Sequence, residues 1–161
     1  MATRESINRI KIEHWRASRI PCNTAEDIFQ GDLMCWDVTN KRATRLTASA
    51  SAANFIGMTD TKNSMETAGS STFLSATTTN RLNIVQSGLV EVIWGTTETL
   101  FPFDEVVIHS SAADAQTVAK GSSNPIGVVD PAVGTAGKAV TAGDLAKIWL
   151  QVRTNQYNLH R

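Results

Sequence analysis

Apolar residues in this chain come in short runs with polar breaks between them. Leu33-Met34-Cys35-Trp36, Phe55-Ile56-Gly57-Met58, Val106-Val107-Ile108 and Pro125-Ile126-Gly127-Val128 are each four residues or fewer. β-Branched and aromatic residues fill the runs, and Gly, Pro, Asn and Ser bound them, which is the grammar of strands. No long stretch has the 3.6-residue apolar period of a helix. The best helical candidate, Ser49 to Asn54, is two turns at most. The pattern predicts an all-β fold, a small β-barrel or sandwich with extended N- and C-terminal arms.

The runs also repeat in order. Gly31-Asp32-Leu33 leads to Phe55-Ile56-Gly57-Met58, and Phe103-Asp104-Glu105-Val106 leads to Pro125-Ile126-Gly127-Val128. A third match, Val-x-x-Gly-x-x-x-x-Ile-Trp, sets Val85 to Trp94 beside Val140 to Trp149. Two related halves follow, at about 28–94 and 100–150, inside a β-domain of residues 21–152. The first half has a Ser/Thr/Gly-rich insert near residues 62–80, read as a surface loop in which Phe73-Leu74 can pin the loop to the body or to a partner.

Residues 1–20 and 153–161 fall outside the halves and read as arms. In the first, Ile10 and Ile12 alternate with Arg9, Lys11 and Glu13, a β pattern. Such an arm either adds a strand to a neighbour's sheet edge or pairs within its own domain. Trp15 on that arm is an anchor for a partner pocket or a lid over its own barrel. Trp36, Trp94 and Trp149 sit in predicted strands and are expected in the core.

Charge narrows the function. Fifteen Lys and Arg balance fifteen Asp and Glu, so the broad positive field of a nucleic-acid binder is missing. Only the first arm is locally basic, at Arg4, Arg9, Lys11, Arg16 and Arg19. No run approaches the ~20 apolar residues of a membrane span, and the polar start Met1 to Ser6 shows no secretory signal. A soluble protein made in a cytoplasm is expected, with no nucleic-acid or membrane partner.

The chemistry-bearing residues form no constellation. Cys22 and Cys35 are too few for a structural zinc site and are read as free thiols. His14, His109 and His160 share no metal-ligand spacing. Gly134 to Ala139 departs from a phosphate loop, with Ala132 and Ala139 at two of its defining positions. Asp32, Asp104 and Asp144 could serve a glycosidase, but their recurrence at strand starts favours turn-building. The expectation is a protein that is not an enzyme and takes no cofactor and no metal.

The order Gly31-Asp32-Leu33, a Thr/Ala-rich stretch, Phe55 to Met58, Val85-x-x-Gly88-Leu89-Val90-Glu91-Val92, Asp104-x-Val106, Pro125 to Val129 and Ala142-Gly143-Asp144-Leu145 resembles small tailed-phage head proteins of the decoration, or cement, type. The resemblance runs over about residues 28–152. It implies a structural virion protein, assembled in the bacterial host cytoplasm, that binds the major capsid protein on the outer surface of the expanded shell at capsomer junctions. It also implies self-association, with a homotrimer favoured and a dimer possible. The contact residues expected are Ile7, Arg9, Ile10, Lys11, Ile12, Trp15 and Arg16 on the first arm, Phe73 and Leu74 in the insert, and Tyr157 and Leu159 on the tail. The alternatives are a head-fibre base or tail part, and a carbohydrate-binding β-domain.

Overall fold

The computed structural model describes residues 9–10, 16–22, 28, 31–47, 54–59, 81–109 and 116–152. Twelve strands carry the described chain: β1 (Arg9–Ile10), β2 (Arg16–Pro21), β3 (Leu33–Asp37), β4 (Arg42–Arg45), β5 (Phe55–Thr59), β6 (Arg81–Ile93), β7 (Glu98–Leu100), β8 (Glu105–Ile108), β9 (Val118–Lys120), β10 (Gly127–Val129), β11 (Lys138–Val140) and β12 (Leu145–Gln151). A 3-10 turn, Pro131–Val133, precedes β11. The all-β class read from the apolar runs is the observed one. The helical candidate lies almost wholly outside the described residues.

The main sheet is antiparallel and runs β4-β3-β5-β6-β12-β10-β8-β9, with β1 and β2 also on β6. That order reads as two copies of one pattern, back to back. In each, a central strand pairs its following hairpin partner on one side and the next strand on the other. Met34 faces Gly57 as Val106 faces Gly127, and Trp36 faces Ala43 as Ile108 faces Val118. Met58 faces Val85 as Val128 faces Trp149. One parallel bridge draws each half into a curl, Cys22 to Ala43 in the first and Trp94 to Val118 in the second.

β6 serves both halves. Its N-terminal part pairs β2 and β5, and its C-terminal part pairs β12 over Ser87 to Ile93. Its faces change roles midway. Leu82 and Ile84 belong to one core cluster, with Ile20, Cys22, Ile28, Met34, Trp36, Ala43 and Ile56. Val85, Val90, Val92 and Trp94 belong to the other. An odd residue and three even ones share that face because the strand is bulged. Arg16 faces Ser87 while Ala17 faces Val85, which leaves Gln86 as the extra residue. Gly88 follows at φ 139°, a backbone conformation that glycine adopts without penalty. That second cluster also takes Leu33, Cys35, Leu46, Phe55 and Met58 from the first half, so both halves share it, while the other cluster is confined to the N-terminal one.

The motifs of the sequence repeat now have physical reasons. A Cβ on Gly57 would stand 2.2 Å from the Val85 carbonyl oxygen, and one on Gly127 would stand 2.2 Å from that of Trp149. Both positions need glycine because the strand crosses its neighbour in direct backbone contact. The Asp at each half's start is an ion-pair corner. Arg45 Nε lies 3.1 Å from Asp32 Oδ2, and Lys120 Nζ lies 2.9 Å from Asp104 Oδ2. The backbone bonds around them correspond as well: Thr59 N donates to Asp32 O at 3.0 Å, and Val129 N to Asp104 O at 2.9 Å.

Three sequence expectations change. The match of Val85–Trp94 to Val140–Trp149 is not a structural one: the pairing equates Val85 with Trp149 and Trp94 with Cys22, while Val140 lies in β11 against β7. Glycine turns followed by alternating strands are common enough to align out of register. For the same reason Trp149 is half-buried on an outer face, whereas Trp36 and Trp94 are core. The first arm, set apart as residues 1–20, is also not separate where it is described. Arg16–Pro21 is a full partner of β6, β1 pairs β6 at Glu91 and Val90, and Ile20 is in the core. Of the segment Ile7 to Trp15, Arg9 and Ile10 pair within their own chain, and the other residues lie outside the described ones.

The corresponding corners differ in burial, and so in what they contribute. The Asp32 side chain is 2% exposed and that of Asp104 is 25%. Removing a buried partner strands its counter-charge, whereas an exposed pair is screened by water. Asp32→Ala is expected to cost about 3 kcal/mol, and Asp104→Ala about 1 kcal/mol or less. Urea unfolding of the two variants checks the difference.

Candidate partner-binding surface

Three of the expected contact residues fall in described strands. Arg9 stands opposite Glu91, Ile10 opposite Val90 and Arg16 opposite Ser87. All three are thus placed along one edge of β6, as part of this chain's own sheet. Ile7, Lys11, Ile12, Trp15, Phe73, Leu74, Tyr157 and Leu159 lie outside the described residues.

The corner between β7 and β8 was not among the expected contacts. Here Phe101 is 43% exposed and Phe103 is 65% exposed, the highest value for a large apolar residue among the described residues. Phe103 has φ 64°. A bulky side chain in that left-handed region is uncommon and strained. Its counterpart in the first half is Gly31, at φ 80° and buried, with the same backbone bond: Gly31 N donates to Thr59 O at 3.1 Å, and Phe103 N to Val129 O at 3.1 Å. The signal was present in the sequence, where the repeat aligns Phe103 with Gly31 next to a shared Asp.

A dense polar network holds this corner. Phe101 N donates to Asp104 Oδ2 at 2.8 Å and Asp104 N to Phe101 O at 3.2 Å. Lys120 bonds Asp104, donates to Thr99 O at 3.1 Å and lies 5.5 Å from the Phe101 ring centroid. Burial alone would raise the Asp104 carboxyl, but the hydrogen bonds from Lys120 and the Phe101 amide outweigh it and hold the group below its ordinary value. Gly137 gives room beneath, because a Cβ there would meet the Phe101 ring at 2.9 Å.

Glu98 anchors the approach to the corner. Its Oε1 accepts from Trp94 Nε1, from Thr96 Oγ1 at 2.5 Å and from Lys120 N at 3.1 Å. One carboxylate oxygen thereby ties the end of β6, β7 and β9 together. Burial pushes its affinity for a proton up, but the bonds from Thr96, Trp94 and Lys120 prevail, so the carboxyl sits below its ordinary value.

Two clefts lie on the described surface. One, of about 220 Å³, is lined by Glu91, Asp130, Val133, Lys138, Leu145 and Lys147. The other, of about 110 Å³, lies among Glu105, Pro125, Gly127, Val128 and Gln151. Both are below the ~300 Å³ at which small-molecule pockets usually begin. Among the described residues no three His, Cys, Asp or Glu side chains gather as metal ligands. Cys22 and Cys35 are both buried. Among the same residues no helix is long and apolar enough to cross a membrane.

No family model matches the chain, and no curated protein matches it.

Because Glu98 binds its proton less readily when folded than unfolded, its contribution is complete above the ordinary glutamate value of 4.5 and is lost as pH falls through the lower folded value. Glu98→Gln is expected to lower Tm at neutral pH and to flatten the fall of Tm in acid. Thermal unfolding followed from neutral pH down through the carboxylate range checks both effects.

Proposed function

We propose that this chain is a structural virion protein that binds the outer surface of an expanded phage capsid at capsomer junctions and stabilises the shell. The sequence resemblance to decoration proteins names the class. The observation that carries the reading here is the corner at Phe101–Phe103, an apolar projection displayed by a braced β body. Such a geometry suits contact with another macromolecule better than it suits enclosing a small one.

The physical effect is linkage. A protein that binds the expanded shell and not its precursor stabilises the expanded state by mass action. Many copies on one shell act together, so each contact can be modest. The low charged fraction, 19%, and the many Ser, Thr and Ala residues of the sequence favour packing polar faces on a neighbour without burying unpaired ions. In this reading the major capsid protein is the partner, and the chain self-associates, with a trimer favoured over a dimer.

Purified protein mixed with expanded and unexpanded heads is expected to sediment with the expanded form alone, at a fixed copy number per shell. Absence of binding to heads, with co-purification on tails instead, overturns the proposal.

A further inference from the structure

We infer that Phe103 is the anchor of this protein, a preformed knob that inserts into an apolar pocket on its partner. The inference rests on the capsid-binding reading above and names the element that makes the contact.

The internal repeat supplies a control that a single domain lacks. At the same corner, with the same amide bond to the strand beside it, one half places a buried glycine and the other a phenylalanine that is 65% exposed. Glycine adopts a positive φ at no steric cost, while a phenylalanine there is strained. With the residue 65% exposed, little burial in the free chain offsets that strain. Local strain retained on a displayed side chain is a mark of function, because packing alone would favour the glycine.

The chemistry of the corner selects the kind of partner. Its cation, Lys120, is occupied by Asp104, Thr99 O and the Phe101 ring. What the corner displays beside it is the aromatic carbon of Phe101 and Phe103, with the exposed carboxylate of Glu105 next to them. That fits an apolar pocket on a protein and offers little to a phosphate backbone. Size argues against a second copy held by this corner alone. A phenylalanine buries on the order of 150–250 Å², whereas a stable pair of proteins buries about 1,200–2,000 Å² in total. Two rings make an anchor within a larger contact, as on a multi-copy lattice. The knob is also pre-organised, since the bonds at Asp104 and Val129 hold it before any partner arrives, and less ordering entropy is lost on binding.

The test compares Phe103→Gly, Phe103→Asn and Phe103→Leu with the unmodified protein in sedimentation with expanded heads. Glycine and asparagine both tolerate positive φ, so neither variant should lose Tm, and Phe103→Gly should gain it. Binding is expected to weaken at least tenfold for Gly and Asn and to stay within a few-fold for Leu. Equal binding by Phe103→Gly and the unmodified protein overturns the inference while the capsid reading stands. A lowered mass of free Phe103→Gly in solution also overturns it, by making a second copy the occupant. If the unmodified protein binds no heads, the capsid reading fails and this inference with it.

Discussion

A bulged strand is the constraint on which the architecture depends. β6 belongs to two curls at once, and a regular strand could not do so, because alternate residues would keep to fixed faces throughout its length. The extra residue at Gln86 and the φ of Gly88 exchange the faces midway. Leu82 and Ile84 then close one core, while Val85 joins Val90, Val92 and Trp94 in the other. Without that exchange Val90, Val92 and Trp94 would fall on the face that Leu82 and Ile84 occupy.

Much of this was legible from the chain. Short β-branched runs declared the class, and the paired Gly-Asp and Ile-Gly signals marked real corresponding positions. They were readable because each has a local cause: the Asp carboxylate fixes a corner, and the glycine allows direct backbone contact. The sharing of β6 was not legible. Its 13 residues read as one more strand, and a bulge leaves no composition of its own. The Val85–Trp94 match failed for a related reason, since an alternating strand aligns with any other strand at several offsets. The apolar corner was half legible. Phe103 stands where the repeat has Gly31, but its exposure depends on tertiary placement, which no local pattern reports.

The motifs behind the family resemblance and the surface proposed to meet a partner are different residues. Asp32, Gly57, Asp104 and Gly127 build corners and crossings. Phe101 and Phe103 contribute little to that framework and are displayed by it. A resemblance carried by framework residues speaks first to architecture. The contact surface is free to vary upon it, which is the usual division between a scaffold and the site it presents.

The second half also finishes the first. Gln116, just before β9, is buried, and its side-chain amide stands in a β3–β4 ladder: Leu33 N donates to its Oε1 at 2.6 Å, while its Nε2 donates to Leu33 O at 2.9 Å and to Leu46 O at 2.7 Å. Those partners are separated from it by 83 and 70 positions of chain. A ladder completed by so distant a residue cannot be finished as it leaves the ribosome. The N-terminal curl has to wait, with polar groups of its β3–β4 edge still in water, until most of the polypeptide has been made.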